Sequence, residues 1–491
     1  MMFDGSSIAS ATGGALVHPG SAGMVMTDSR RLQPHGWFVA LVGEKFDGHD
    51  FLAHALSAGC AGVVVSDVSR VPSGWTAGLV VVPDTLVALQ DLGRAARIAF
   101  HGPTVGITGS AGKTTTRVMT SLVLEAIPVD GSSAAPRRVH HTVGNLNNHI
   151  GVPLTLCATP PDAEYLVVEM GMSHLGEIAL LQEIARPDLR VITNVGAAHV
   201  EGCGSLANVA AAKQEMFDGA RFGDVCIVND DDPRVASMAI PFGARVVRFG
   251  RSEECEIRLT DVGVDVDRLQ TRLRIETPDG VVKAVLEVPG VHLAECALAA
   301  VAVGFVLRVP VETIGPALGR FRPEGMRNRI ERSHGVVVLD DAYNANPISM
   351  AAALRTLAVL PHGRIAVLGD MLELGVAEAE SHRDVLRLGL SLGLTLLVTG
   401  ERMAAAAAGI AHFAKGTLHV YPDVEALSEA LCGPARRVET IGFMPLQRGD
   451  ALLIKGSRGS RMERVLERWR AEGGRMVGPP ADDATTEEKA R

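Results

Sequence analysis

Short apolar runs alternate along this chain with longer stretches whose apolar positions return every three or four residues, the spacing of one helix face. Between residues 24 and 97 the runs at 38–42, 61–65 and 79–82 read as buried strands separated by helical segments. The period then lengthens over residues 85–100, which predicts a helix and places a domain boundary near residue 100.

A second block, 101–314, has an apolar run leading up to Gly109 and further strands at 165–168, 190–192 and 225–228. Helical stretches between them predict a mostly parallel sheet. The polar segment 130–141 reads as a surface loop, 256–288 as an antiparallel flank, and the alanine-rich stretch 293–307 as a packed helix. A third block, 315–472, repeats the alternation with strands at 336–339, 365–368, 396–398 and 451–454, predicting another doubly wound sheet. Residues 473–491 turn polar, pass through Pro479-Pro480 and read as a disordered tail. The fold class expected is therefore α/β in three blocks.

Composition narrows the class further. A chain of 491 residues has room for about three domains. Hydrophobic residues make up 47% and charged residues 21%, the balance of an ordinary globular protein. A net charge of −9 argues against a basic nucleic-acid face, so small molecules are the expected partners and nucleic acid is not. The longest apolar run, 296–307, is too short to span a bilayer, and residues 1–5 lack the basic and apolar regions of a signal peptide. A cytoplasmic monomer with no membrane partner is expected. Seven scattered cysteines without a C-x-x-C pair point to neither disulfides nor zinc.

The sharpest local signal is Val105-Gly106-Ile107-Thr108-Gly109-Ser110-Ala111-Gly112-Lys113-Thr114-Thr115-Thr116. A strand leading in and a helix leading out bring backbone N–H groups and a helix N-terminus onto one anion. Small residues admit phosphates close to the main chain, Lys113 reaches the outer groups, and the Thr114 hydroxyl suits a Mg²⁺ that bridges them. Ile107 stands where the general pattern has its first glycine, so the spacing of Gly106, Gly109 and Gly112 is a shifted one. Phosphoryl transfer is the chemistry this predicts.

Three further groups sit at the ends of expected strands or on a following helix, where ligands gather in such folds: Glu169, His199 and Lys213. Each alone has a structural reading. A lone histidine after a strand is more often a hydrogen-bonded structural residue, and a helix lysine is ordinarily a solvated cation.

Taken in order, 106–115, Asn145-Leu146-Asn147-Asn148-His149-Ile150-Gly151-Val152-Pro153, Glu169-Met170-Gly171 and Thr193-Asn194 with His199 resemble the Mur ligase family. These are ATP-dependent amide-forming enzymes of peptidoglycan synthesis, and their phosphate loop has the same shifted glycines. Asp340-Asp341-Ala342-Tyr343-Asn344-Ala345-Asn346-Pro347, Gly369-Asp370-Met371-Leu372-Glu373-Leu374-Gly375 and Lys455-Gly456-Ser457-Arg458 are most similar to one branch of the family. That branch adds D-alanyl-D-alanine to a UDP-linked muramoyl tripeptide. Asp28-Ser29-Arg30 and 38–44 with Phe46-Asp47-Gly48-His49 resemble the family's UDP-binding domain, so the likeness spans residues 24–468.

The resemblance implies an N-terminal UDP-substrate-binding α/β domain over 1–100, a central P-loop ATPase domain over 101–314 and a Rossmann-like C-terminal ligase domain over 315–472. It implies that ATP phosphorylates a substrate carboxylate and that an amine then displaces phosphate, with no protein nucleophile. It gives catalytic roles to Lys113, Glu169, His199 and Lys213, and places Thr114, Glu169 and His199 at two Mg²⁺ sites. ATP contacts fall to Gly109, Ser110, Ala111, Gly112, Lys113, Thr114, Thr115, Asn147, Arg327 and Asp341. Contacts to the UDP-linked muramoyl peptide and the dipeptide fall to Ser29, Arg30, Asp47, Gly48, His49, Asn344, Asn346 and Lys455. Lys213 matches the family lysine that CO₂ converts to a carbamate, a reaction of the neutral amine. The C-terminal domain is expected to close as a lid that keeps water from the acyl phosphate. Read without the family, Asp340-Asp341 is equally a cap or turn pair and Lys455 a strand-end cation.

The likeness breaks after Gly290-Val291-His292. The family has adenine-holding asparagines there, whereas this chain has Leu293 and Cys296, neither with an amide's paired donor and acceptor. A related ligase that joins a different carboxylate and amine in specialised metabolism is the alternative this opens. The UDP-domain motifs weigh against it.

Overall fold

Three sheets organise residues 1–127, 136–410, 416–432 and 446–472, the part of the chain that the computed structural model describes. They fall into two compact units. The first comprises Met1–Gly263, Arg272–Leu286 and His292–Phe321; the second comprises Val264–Thr271, Glu287–Val291 and the chain from Arg322 onward.

The first sheet contains β1 (Ala15–His18), β2 (Val25–Met26), β3 (Trp37–Val39), β4 (Gly62–Val65) and β5 (Gly78–Val81), in the order β1-β5-β4-β3-β2. All pairings are parallel except that of β1 with β5 at the edge. β3 and β4 are buried throughout, which is why their sequences are apolar without alternation. The indole of Trp37 sets the glycines around it. A Cβ at Gly62 or Gly78 would come within 2.4 Å of the ring, so only glycine fits at either strand start. Helix Thr85–Ala99 is capped by Asp84, whose carboxylate accepts from Leu86 N and Val87 N, and it turns Leu89, Leu92 and Ala96 into the core. Gly93 on that helix lies against Pro153 of helix Gly151–Cys157, where a Cβ would be 2.9 Å away. One apolar core thus runs from Trp37 to Cys226, and the boundary expected near residue 100 is crossed by continuous packing.

The second sheet contains β6 (Thr104–Thr108), β7 (Val139–His141), β8 (Tyr165–Glu169), β9 (Leu189–Ile192), β10 (Val225–Asn229), β11 (Arg245–Gly250), β12 (Ile257–Asp265), β13 (Gln270–Thr277) and β14 (Gly280–Leu286). Their order is β14-β13-β12-β11-β10-β9-β6-β8-β7, parallel from β7 to β12. β6 lies between β8 and β9, so the connections leaving it diverge and open a crevice at its carboxyl end. Helix Lys113–Glu125 starts there and packs on helix Leu293–Val306, the alanine-rich segment, which is buried on every side.

One expectation needs correction, and one expected boundary falls within a helix. The polar segment 130–141 is not wholly a loop: 130–135 lie outside the described residues, but Val139–His141 forms β7, pairing in register with Tyr165–Val167. Three half-buried residues on a sheet edge carry too little apolar pattern to announce a strand. The boundary expected between 314 and 315 falls inside helix Val311–Gly319, which packs on β14, and the first unit ends at Phe321. The tail at 473–491 lies outside the described residues.

The third sheet contains β15 (Arg329–Ser333), β16 (Val336–Asp341), β17 (Arg364–Leu368), β18 (Thr395–Thr399), β19 (Thr417–Tyr421) and β20 (Ala451–Lys455), in the order β15-β16-β20-β17-β18-β19. Only β15 is antiparallel to its neighbour. Register brings Asp341, Lys455 and Leu368 side by side at one carboxyl edge. Among the described residues no helix is long and apolar enough to cross a membrane.

Candidate active site

The glycine-rich loop leaves β6 at the crevice. Ile107, out of place in the general pattern, is a fully buried strand residue, and the loop begins after it. Gly109 has φ +151° and lies so close to Thr193 that a Cβ would be 1.8 Å from its Oγ1. Gly112 has φ +82° and caps helix Lys113–Glu125 in the left-handed region that favours glycine. The loop is locked from the β9 side: Ser110 N donates to Asn194 O, Ala111 N to Asn194 Oδ1 at 2.8 Å, and the Thr193 hydroxyl to Ala111 O at 2.7 Å. Two loop N–H groups expected to face phosphate are therefore engaged by Asn194. Lys113 Nζ curls back to donate to Gly109 O at 2.6 Å. Thr115 follows on the helix, one position beyond Thr114.

Glu169, the last residue of β8, is 1% exposed. Its Oε2 accepts from the Thr114 hydroxyl at 2.9 Å and its Oε1 from Asn147 Nδ2 at 2.8 Å. Its backbone N–H donates to Thr142 Oγ1 at 3.0 Å. Of the residues expected here, the fold thus gathers Thr114, Asn147 and Glu169 into one hydrogen-bonded group.

His199 stands in the left-handed region at φ +59°, half-buried, ahead of the short helix Val200–Cys203. Lys213, on helix Leu206–Asp218, is 1% exposed. Burial, reinforced by the nearby charge of Lys113, pushes its ammonium well below the usual lysine range, which shifts the balance toward the neutral amine relative to an exposed lysine.

A divalent cation fits this donor set. Among the described residues no three His, Cys, Asp or Glu side chains converge as a self-sufficient metal cage. A single buried carboxylate beside a threonine hydroxyl and a phosphate loop is the arrangement Mg²⁺ takes when substrate phosphates supply further oxygens. Cys296 packs beneath the loop, its Sγ 3.8 Å from Gly112 O, and burial pushes its thiol up to about 12. With Leu293 it forms apolar packing at the positions where asparagines were expected.

Residues expected to hold the UDP-linked substrate lie on loops of the first sheet. Asp28 caps the turn Ser29–Arg31, and the Arg30 guanidinium paired with it holds its carboxyl at about 2. His49 is buried: Nδ1 meets Asp47 Oδ1 at 2.6 Å and Nε2 accepts from Ser66 N at 3.0 Å, so its ring serves the fold. A Cβ at Gly48 would approach the Ala40 backbone to 2.7 Å.

In the second unit, three of the expected motifs meet at the shared edge. Lys455, 1% exposed, donates to Asp341 Oδ2 at 2.5 Å and to Asn344 O at 3.0 Å. Asp341 Oδ1 also accepts from Asn328 N, and the Arg327 guanidinium stacks 3.9 Å over the Tyr343 ring. The Asn346 side chain caps helix Pro347–Val359 by accepting from Ser349 N. Asp340 points into the interior, where burial raises its carboxyl above the usual range. Ser457 was not anticipated as a link: its hydroxyl donates to Ala345 O and accepts from Leu372 N, joining all three motifs. Its place two residues after Lys455 was the available signal.

The Mur ligase middle domain profile matches residues 107–304, and that of the Mur ligase glutamate ligase domain matches 326–458. The UDP-N-acetylmuramoyl-tripeptide–D-alanyl-D-alanine ligase of Bacillus subtilis is 34% identical over 450 residues, covering 90% of this chain and 92% of that one. The Escherichia coli ligase of the same name is 33% identical, covering 91% and 94%. A crystal structure of MurF from Acinetobacter baumannii is similar with a TM-score of 0.84 at 28% identity, covering 96% of this chain and 99% of that one. The MurF ligase of Thermotoga maritima, solved in complex with ADP, has a TM-score of 0.77 at 27% identity, covering 92% and 97%. Matches of this length, running through the strand ends that hold both Glu169 and Asp341, mean that the chain belongs to the Mur ligase family.

Proposed function

We propose that this chain is an ATP-dependent ligase that joins D-alanyl-D-alanine to UDP-N-acetylmuramoyl-tripeptide in peptidoglycan precursor synthesis. The observation that carries the reading is 33–34% identity, over at least 90% of the chain, to two ligases of that name. ADP in the Thermotoga maritima relative supports ATP as the nucleotide.

The tripeptide carboxylate attacks the γ-phosphorus, the acyl phosphate forms and ADP leaves. The dipeptide amine then attacks the acyl carbon, the amide forms and phosphate leaves with the lost proton going to solvent. Neither step needs a nucleophile from the protein, whose task is to position the reactants and cancel charge. The loop 109–112 and Lys113 are assigned to the phosphates. Thr114 and Glu169 would hold one Mg²⁺, and His199 with Glu169 a second. Bound Mg²⁺ would neutralise the repulsion between carboxylate and triphosphate. Asn147 keeps the Glu169 carboxylate turned toward Thr114. Lys213 is assigned to carbamylation: its neutral nitrogen adds to CO₂ and loses one proton, turning a buried amine into an anion. Asn344 and Lys455 are assigned to the dipeptide end, and Ser29, Arg30 and Asp47 to the UDP-linked end. We assign the reaction to the cytoplasm, in keeping with ATP and a UDP-linked sugar as its substrates.

The test is phosphate release from ATP. Release that requires both UDP-N-acetylmuramoyl-tripeptide and D-alanyl-D-alanine is expected; release only with other acid and amine pairs overturns the reading.

A further inference from the structure

One buried cation beside the nucleotide loop has no part in the assignments above. Arg117 is fully buried on helix Lys113–Glu125, three residues after Thr114 and therefore on the same face. Its Nε lies 3.7 Å from Glu169 Oε2, the same oxygen that accepts the Thr114 hydroxyl. Its Nη1 lies 2.7 Å from His141 Nδ1, which also lies 3.1 Å from Thr142 O; Nδ1 meets the guanidinium as an acceptor in the tautomer that carries its proton on Nε2. His141 is in register with Val167, two residues before Glu169 on the neighbouring strand. Arg117 thus ties the start of the nucleotide helix to the β7–β8 edge.

Thr114 and Asn147 are neutral donors, whereas Arg117 brings a full positive charge. A carboxylate 1% exposed is costly to keep ionised without such a partner. We propose that Arg117 is a positioning residue for Glu169. It balances the buried carboxylate and, anchored on His141, sets where Oε2 lies before any cation arrives. This rests on the nucleotide reading above.

The test is binding of a fluorescent ADP to the full chain, with Mg²⁺ and separately with EDTA. Arg117→Met weakens binding by about tenfold or more in Mg²⁺, the scale seen when a ligand's supporting partner is removed, and by less than about twofold in EDTA. Arg117→Lys keeps the charge and stays within about threefold of the parent in both buffers. Where Arg117→Met fails to fold by circular dichroism, His141→Leu replaces it, with a loss of about threefold confined to Mg²⁺. Equal losses in the two buffers, no loss, or tighter binding in Mg²⁺ overturn the role of Arg117. Absence of ADP binding by the parent in either buffer overturns the nucleotide reading instead.

Discussion

Lys213 and Lys455 are each 1% exposed, one beside the nucleotide loop and one at the edge of the third sheet, and they are held in opposite ways. Lys455 faces Asp341 at 2.5 Å and also donates to Asn344 O. Lys213 has no carboxylate partner among the described residues; burial and the Lys113 charge press it toward the neutral amine. Equal burial therefore yields two chemistries. A buried lysine beside a carboxylate is held as an ion pair, whereas one pressed toward the neutral amine suits the carbamylation proposed above.

Breaking the ion pair has the largest expected effect. Lys455→Met leaves the Asp341 carboxylate, 17% exposed, without its partner and costs about 3 kcal/mol of stability in denaturant unfolding. Adding Asp341→Asn to that variant returns part of the loss. An unchanged midpoint in the single variant removes the pair from the framework.

Lys213→Met moves function and stability in opposite directions. Phosphate release falls by about 100-fold, and in Lys213→Ala short-chain carboxylic acids restore part of it. Turnover like the parent's takes Lys213 out of the site. In bicarbonate-free buffer Lys213→Met melts higher than the parent. The sign follows from proton binding: below the usual lysine range the unfolded chain carries a proton on Lys213 that the folded chain disfavours. Parent stability therefore rises with pH from the depressed native value up to the usual lysine range, and the variant loses that slope. A lower melting temperature for Lys213→Met at neutral pH contradicts this assignment.

The smallest effect separates capping from binding. Asn346→Ala removes the side-chain acceptor for Ser349 N and costs about 1 kcal/mol in thermal unfolding. An unchanged KM for the dipeptide makes Asn346 a cap alone; a raised KM keeps it at the substrate end.

Much of this was legible in the residues. Buried parallel strands leave unbroken apolar runs, so β4, β8, β10, β16 and β20 stood out, as did the helical period over 85–100. The phosphate loop announced itself because only glycines tolerate its backbone. What escaped were short, half-exposed edge strands such as β1 and β7, whose pairing depends on a neighbour far along the chain. Arg117 escaped too, because its partners, His141 and Glu169, come from two separate strands.

By itself the sequence determined the class of chemistry: a glycine-spaced loop ending in Lys113-Thr114, followed by an acid and a histidine after strands and a lysine on a following helix, specifies phosphate handling through local backbone geometry and residue type. It also determined the α/β alternation, which is a property of periodicity. Only the tertiary structure decided which charges are paired. Asp341 and Lys455 lie 114 residues apart and meet through parallel register, while Lys213 is enclosed without a carboxylate partner among the described residues. Charge state in an interior depends on desolvation and on what lies within a few ångströms, and neither is written in the local order of residues.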